Sequence, residues 1–92
     1  GIFMDYSLLQ KSYDIFKVGC TYEVIQAFND YRNISYSVGD KFIFIGSNFV
    51  PYESGLSLFL DKNGCEWHLM LCIRPEFQQE VAHNLDKYFR RL

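Results

Sequence analysis

The tetrapeptide Asp61-Lys62-Asn63-Gly64 constrains this chain more than any other four residues. Asn-Gly suits the two left-handed positions of a type I′ turn, the turn whose twist matches a two-residue hairpin. On its N-terminal side Leu56, Leu58 and Leu60 alternate with Ser57, Phe59 and Asp61. On its C-terminal side Trp67, Leu69 and Leu71 alternate with Glu66, His68 and Met70. Period-two alternation on both sides of such a turn predicts two antiparallel strands, 56–60 and 65–73.

The rest of the chain is read outward from this hairpin. Thr21 to Phe28 is rich in β-branched and aromatic residues and predicts a strand with Tyr22, Val24 and Phe28 on one face. Gly39-Asp40 marks a turn, and Lys41 to Ile45 predicts another strand. Phe42 and Phe44 occupy one face of it and Ile43 and Ile45 the other, so both faces are expected to be covered, as in a wrapped or closed sheet. A short edge strand is expected within Ile34 to Val38. Pro75 and Glu76 suit a helix start. From there Phe77, Val81, Leu85, Tyr88, Phe89 and Leu92 line one face of a helix over 75–91, with Asp86 and Arg90 spaced to pair. At the other end Ile2, Tyr6, Leu9, Tyr13 and Phe16 recur at helical steps, which predicts a short helix within 1–16. That helix serves either as a cap on its own domain or as a docking element.

The expected fold is therefore mainly β: a single domain over 1–92, with a small, SH3-like, strongly bent antiparallel sheet or partly open barrel at 18–73. A C-terminal amphipathic helix packs on it. Ninety-two residues bury only about 60–65% of the surface of the unfolded chain. Nine Phe, seven Tyr and one Trp compensate with large apolar units.

Composition narrows the function classes. A net charge of −2 argues against a nucleic-acid footprint, since counterion release needs clustered Lys and Arg. The one basic cluster, Lys87, Arg90 and Arg91, suits the C-terminal end of the predicted helix. Three cysteines, an odd number without a CxxC pair, fit a reducing compartment, and the expected location is cytoplasmic. No apolar run approaches the ~20 residues of a membrane helix. Gly1 stands where a start Met would, which leaves room for a segment removed upstream.

No motif for catalysis, a metal or a cofactor emerges. Cys65, His68 and Cys72 are close in sequence, but strand parity sends Cys65 to the opposite face from His68 and Cys72. His68 and His83 lie on different predicted elements, without a nucleophile motif beside either. The chain is read as a non-enzyme without cofactor.

Binding is the better-motivated class. The loops at Asp30-Tyr31-Arg32 and at 48–55 carry aromatic residues beside acids, and loops are where function concentrates. Tyr31, Phe49, Pro51, Tyr52, Glu53 and His68 are the candidate site residues, for a protein partner or for self-association. The competing structural expectation is that Phe49 and Tyr52 plug the end of the barrel. A single-stranded nucleic-acid binder is the second functional reading, and a small hydrolase or metal-dependent enzyme the third.

Phe28-x-Asp30-Tyr31, Phe49-x-Pro51-Tyr52 and Gly55-Leu56-Ser57-Leu58-Phe59 stand in one order with Tyr22-x-Val24, Val38-Gly39-Asp40, Phe44-x-Gly46 and Glu66-Trp67-His68-Leu69. Together, over Val18 to Gln79, they resemble a bacterial family of small proteins known as a domain of unknown function. That pattern often has a basic residue where this chain has Met70. The resemblance implies a bacterial, cytoplasmic protein and supplies no activity.

Overall fold

In the computed structural model, residues 6–92 are described. The hairpin forms as the turn chemistry dictates. Asn63 and Gly64 both take positive φ, 54° and 84°, and join β7 (Gly55–Lys62) to β8 (Cys65–Cys72). Lys62 pairs with Cys65 and the ladder runs back to Gly55 opposite Cys72. The Asp61 carboxylate accepts the Gly64 N–H and closes the turn.

On the other side of β7 lies β6 (Lys41–Val50), ten residues long rather than five. It extends through Gly46 because the register slips there: Phe44 faces Leu60 and Gly46 faces Phe59, so Ile45 is extra. A Cβ at Gly46 would lie 2.8 Å from Leu9 Cβ, so the bulged strand is crossed closely by the N-terminal segment. Gln10 and Ser47 exchange backbone hydrogen bonds at that crossing.

β3 (Thr21–Val24) pairs with the first half of β6, and β9 (Phe89–Arg91) with β3, which gives the sheet order β8-β7-β6-β3-β9 with antiparallel neighbours throughout. Two short hairpins complete the strands: β1 (Ser12–Tyr13) with β2 (Phe16–Lys17), and β4 (Phe28–Asn29) with β5 (Ser35–Tyr36). The fold is mainly β, and none of the sheets described closes into a barrel. One face of the main sheet carries the core, in which Tyr22, Val24, Phe42, Phe44, Leu56, Leu58, Leu60, Leu69 and Leu71 are buried.

Three expectations are corrected. Ile43 is 41% exposed, so β6 is not covered on both faces there; an open sheet leaves that side wet. Over the described residues, the helical periodicity of 1–16 resolves into a 3₁₀ turn (Tyr6–Leu8) and the β1–β2 hairpin; Ile2 lies outside them. Tyr22 holds this hairpin, its hydroxyl accepting the Lys17 N–H and donating to the Ile15 carbonyl, both at 2.8 Å. Phe16 then enters the core rather than capping it from outside.

The third correction concerns 75–91. Two single-turn helices form, α1 (Gln79–Ala82) and α2 (Leu85–Tyr88), and the chain then runs out into β9. The sheet edge at β3 takes Phe89 to Arg91 as a strand, and Glu23 opposite Arg90 captures its guanidinium at 2.7 Å in place of Asp86. Val81, Leu85, Tyr88 and Phe89 are buried as the periodicity requires, but Phe77 and Leu92 are not. No helix among the described residues is long and apolar enough to cross a membrane.

Candidate functional site

A buried acid organises the loop that follows β4. Asp30 is almost wholly inaccessible. Its Oδ1 accepts the backbone N–H groups of Arg32 (2.9 Å) and Ile34 (3.0 Å), folding the loop around itself. Its Oδ2 accepts the Tyr36 hydroxyl (3.2 Å) and the Met70 N–H (3.4 Å). Tyr36 in turn accepts from Trp67 Nε1 at 2.9 Å, so a chain of hydrogen bonds runs from β8 through β5 to the loop. Burial raises the Tyr36 phenol above its usual value, and the Asp30 charge adds to it.

The same loop is stitched to the outer edge of β8. Tyr31 donates its N–H to Met70 O at 2.7 Å, and the Arg32 guanidinium donates to His68 O. Farther along, Gln78 Oε1 accepts the Cys72 N–H and the Gln78 N–H donates to Cys72 O, both at 3.0 Å. From His68 O to Cys72 O the edge is bonded by side chains and loops rather than by a neighbouring strand.

Against this edge lies a concavity of about 290 Å³. Tyr31 forms one wall, edge-on to Phe77 with ring centroids 5.3 Å apart. Met70, Leu71 and Cys72 of β8, with Gly55, form its floor, and Tyr52, Glu53 and Arg74 complete the lining. Phe77 is presented by a turn in which its N–H meets Arg74 O. Tyr52 comes from the 3₁₀ turn Pro51–Glu53, which ends at Ser54 in the left-handed region. Tyr52 is 95% exposed, and Tyr31 and Phe77 are each 48% exposed. A second concavity of similar volume lies at the hairpin end near Lys41, Ile43 and Asn63, with no exposed aromatic side chain in its lining.

The candidates therefore divide. Tyr31, Tyr52 and Glu53 meet at one concavity, while Phe49 and Pro51 stand exposed and do not line it. Phe49 and Tyr52 do not plug a barrel end; both are open to solvent. His68 shares the β8 face of Met70 and Cys72 by strand parity but does not line the concavity. Its ring stacks on Phe59 at 4.7 Å, and Nε2 is 2.7 Å from Ser57 Oγ. A histidine bonded to a serine is half of a nucleophilic arrangement, but neither residue of this pair lines the concavity. Sequence alone places Phe77 on a helix face, Met70 in the alternation of β8 and Cys72 only among possible metal ligands, and Arg74-Pro75 reads equally as a helix start and as a turn, so none of these four is named for this site. Among the described residues, no three His, Cys, Asp or Glu side chains converge as a metal would require.

Burial, and secondarily the Arg32 charge, lowers the His68 pKa below 6.5. The folded chain then binds fewer protons at this site than the unfolded chain. Its contribution to stability is complete above about 6.5 and is lost as pH falls toward the lowered value. Thermal melts between pH 7.5 and 5 are expected to show a smaller pH-dependent fall for His68→Gln than for the wild type; identical slopes would contradict the burial of this ring.

Comparison with known proteins decides the family. A family described as Domain of unknown function (DUF3601) matches residues 5–92. The chain belongs to it. A solved structure of this DUF3601 chain's fold is an integron cassette protein from the mobile metagenome of Vibrio cholerae. It is 60% identical, with a TM-score of 0.95, over 97% of this chain and 99% of that one. No curated protein matches the DUF3601 chain.

Proposed function

We propose that this protein is a non-catalytic binding module of bacterial, cytoplasmic origin that recognises a protein partner at the Tyr31–Tyr52–Phe77 concavity. The observation that carries this reading is Tyr52. In a domain that buries Tyr22, Tyr36 and Tyr88, a tyrosine held 95% exposed on a short turn, beside two half-exposed aromatic rings, adds nothing to the core. Exposed aromatic side chains around a pocket are the residues that dominate protein interfaces. The Vibrio cassette protein supports a bacterial setting.

A single-stranded nucleic-acid site has less behind it. Arg90 is held by Glu23, and Arg32 is turned onto Asp30 and His68 O, which leaves Arg74 as the one arginine in the lining of the concavity, with the acid Glu53 in the same lining. The test is Tyr52→Ala, alone and with Tyr31→Ala. The single variant is expected to melt within about 0.5 kcal/mol of wild type, as for a surface change. It should fail to retain the proteins that immobilised wild-type chain retains. Retention of the same proteins by the variants would remove this reading.

A further inference from the structure

Resting on that reading of the concavity, we infer that its occupant is an extended, polyproline-type peptide segment carrying a basic side chain. The argument begins with what the site refuses. A peptide that adds as a strand needs free N–H and C=O groups along a sheet edge. Here Met70 N is taken by Asp30, Met70 O by Tyr31, and both Cys72 groups by Gln78. Strand addition beside the concavity is blocked by the protein's own loops.

Size argues against the second common mode. A helix docks through anchors spread over two turns, whereas this site holds about 290 Å³, at the lower limit of about 300 Å³ for ligand pockets. It admits one or two side chains of a segment lying across it. What remains is recognition by ring faces and side-chain donors.

The polyproline II helix fits those terms. It has no internal hydrogen bonds, so its carbonyls stay available, and its stiffness reduces the entropy lost on docking. The rings of Tyr31 and Phe77, set edge to face, make a ridge against which a pyrrolidine packs, and Tyr52 adds a further ring to the same lining. Neither the Tyr31 nor the Tyr52 hydroxyl has a hydrogen-bond partner within the described chain, so both can donate to peptide carbonyls, as can the exposed Arg74 guanidinium. Glu53, exposed beside Tyr52, supplies the charge that complements a lysine or arginine of the segment.

The experiment titrates the full chain, followed by amide and ring NMR signals, with three peptides of equal length. These are decaproline, the same peptide with one central arginine, and a Gly-Ser peptide with that arginine. The arginine-bearing proline peptide is expected to bind at least about tenfold tighter than the Gly-Ser control, shifting Tyr31, Tyr52 and Phe77. Tyr52→Ala should weaken it about tenfold or more, and Glu53→Gln should weaken it while leaving decaproline unchanged. Equal binding of the proline and Gly-Ser peptides, or shifts elsewhere, would overturn the inference. So would a single-stranded oligonucleotide shifting these rings where the peptides do not. If the peptides fail while wild type, but not Tyr52→Ala, still retains a protein partner, the peptide class is wrong and the binding site stands. If neither depends on Tyr52, both fall.

Discussion

Asp30→Ala is expected to cost the domain about 3–5 kcal/mol, the range for breaking a buried, fully bonded charge. The alanine leaves the N–H groups of Arg32, Ile34 and Met70 and the Tyr36 hydroxyl without the acceptor that now serves all four. An unsatisfied buried group costs about 1–3 kcal/mol, so relaxation around even two of them accounts for the loss. Asp30→Asn keeps an oxygen for Arg32 and Ile34 but turns an amide donor toward Met70 or Tyr36. Its expected cost is smaller, about 1–2 kcal/mol. Urea unfolding measures both: the midpoint should fall in that order with the slope unchanged. A loss below about 1 kcal/mol for the alanine variant would contradict the network. The effect reaches the site, because Asp30 folds the loop that sets Tyr31 against β8.

Phe16→Ala is the second large effect, also about 3–5 kcal/mol, the usual cost of deleting a buried aromatic ring. The Phe16 ring meets Tyr22, Phe44 and Phe89 at centroid distances of 4.7, 5.4 and 5.1 Å. It therefore joins the N-terminal hairpin to β3, to β6 and to the C-terminal strand at one point. The same unfolding measurement checks it. A cost below about 1 kcal/mol would mean that the N-terminal hairpin rests on the core without being part of it.

These two residues also show what a sequence of this kind discloses. The β7–β8 hairpin was legible because Asn63-Gly64 and the alternation around it are local, and local geometry settles both. Phe16 was legible as apolar but not as a strand residue, since steps of three and four through Tyr13 and Phe16 suit a helix and a tight hairpin alike. The C-terminal periodicity placed Val81, Leu85, Tyr88 and Phe89 in the core correctly. It could not foresee that the open edge of β3 would draw Phe89 to Arg91 out of the helix, because that competition is settled by residues more than sixty positions away.

The site divides in the same way. Tyr31, Tyr52 and Glu53 announce themselves as loop aromatics and an acid, and they do meet. Asp30 does not announce itself, because its role depends on Met70, forty residues on. Phe77 was assigned to a helix face, but its turn onto Arg74 O and the pairing of Gln78 with Cys72 hold it half-exposed at the concavity.

The most direct test of the binding account places a benzophenone amino acid at position 52 in one variant and at position 8 in another. Leu8 is a comparably open control, 79% exposed. After irradiation in the cell of origin, the account predicts a discrete crosslinked protein adduct from position 52 and none from position 8. Equal adducts from both positions, or none from position 52, would contradict it.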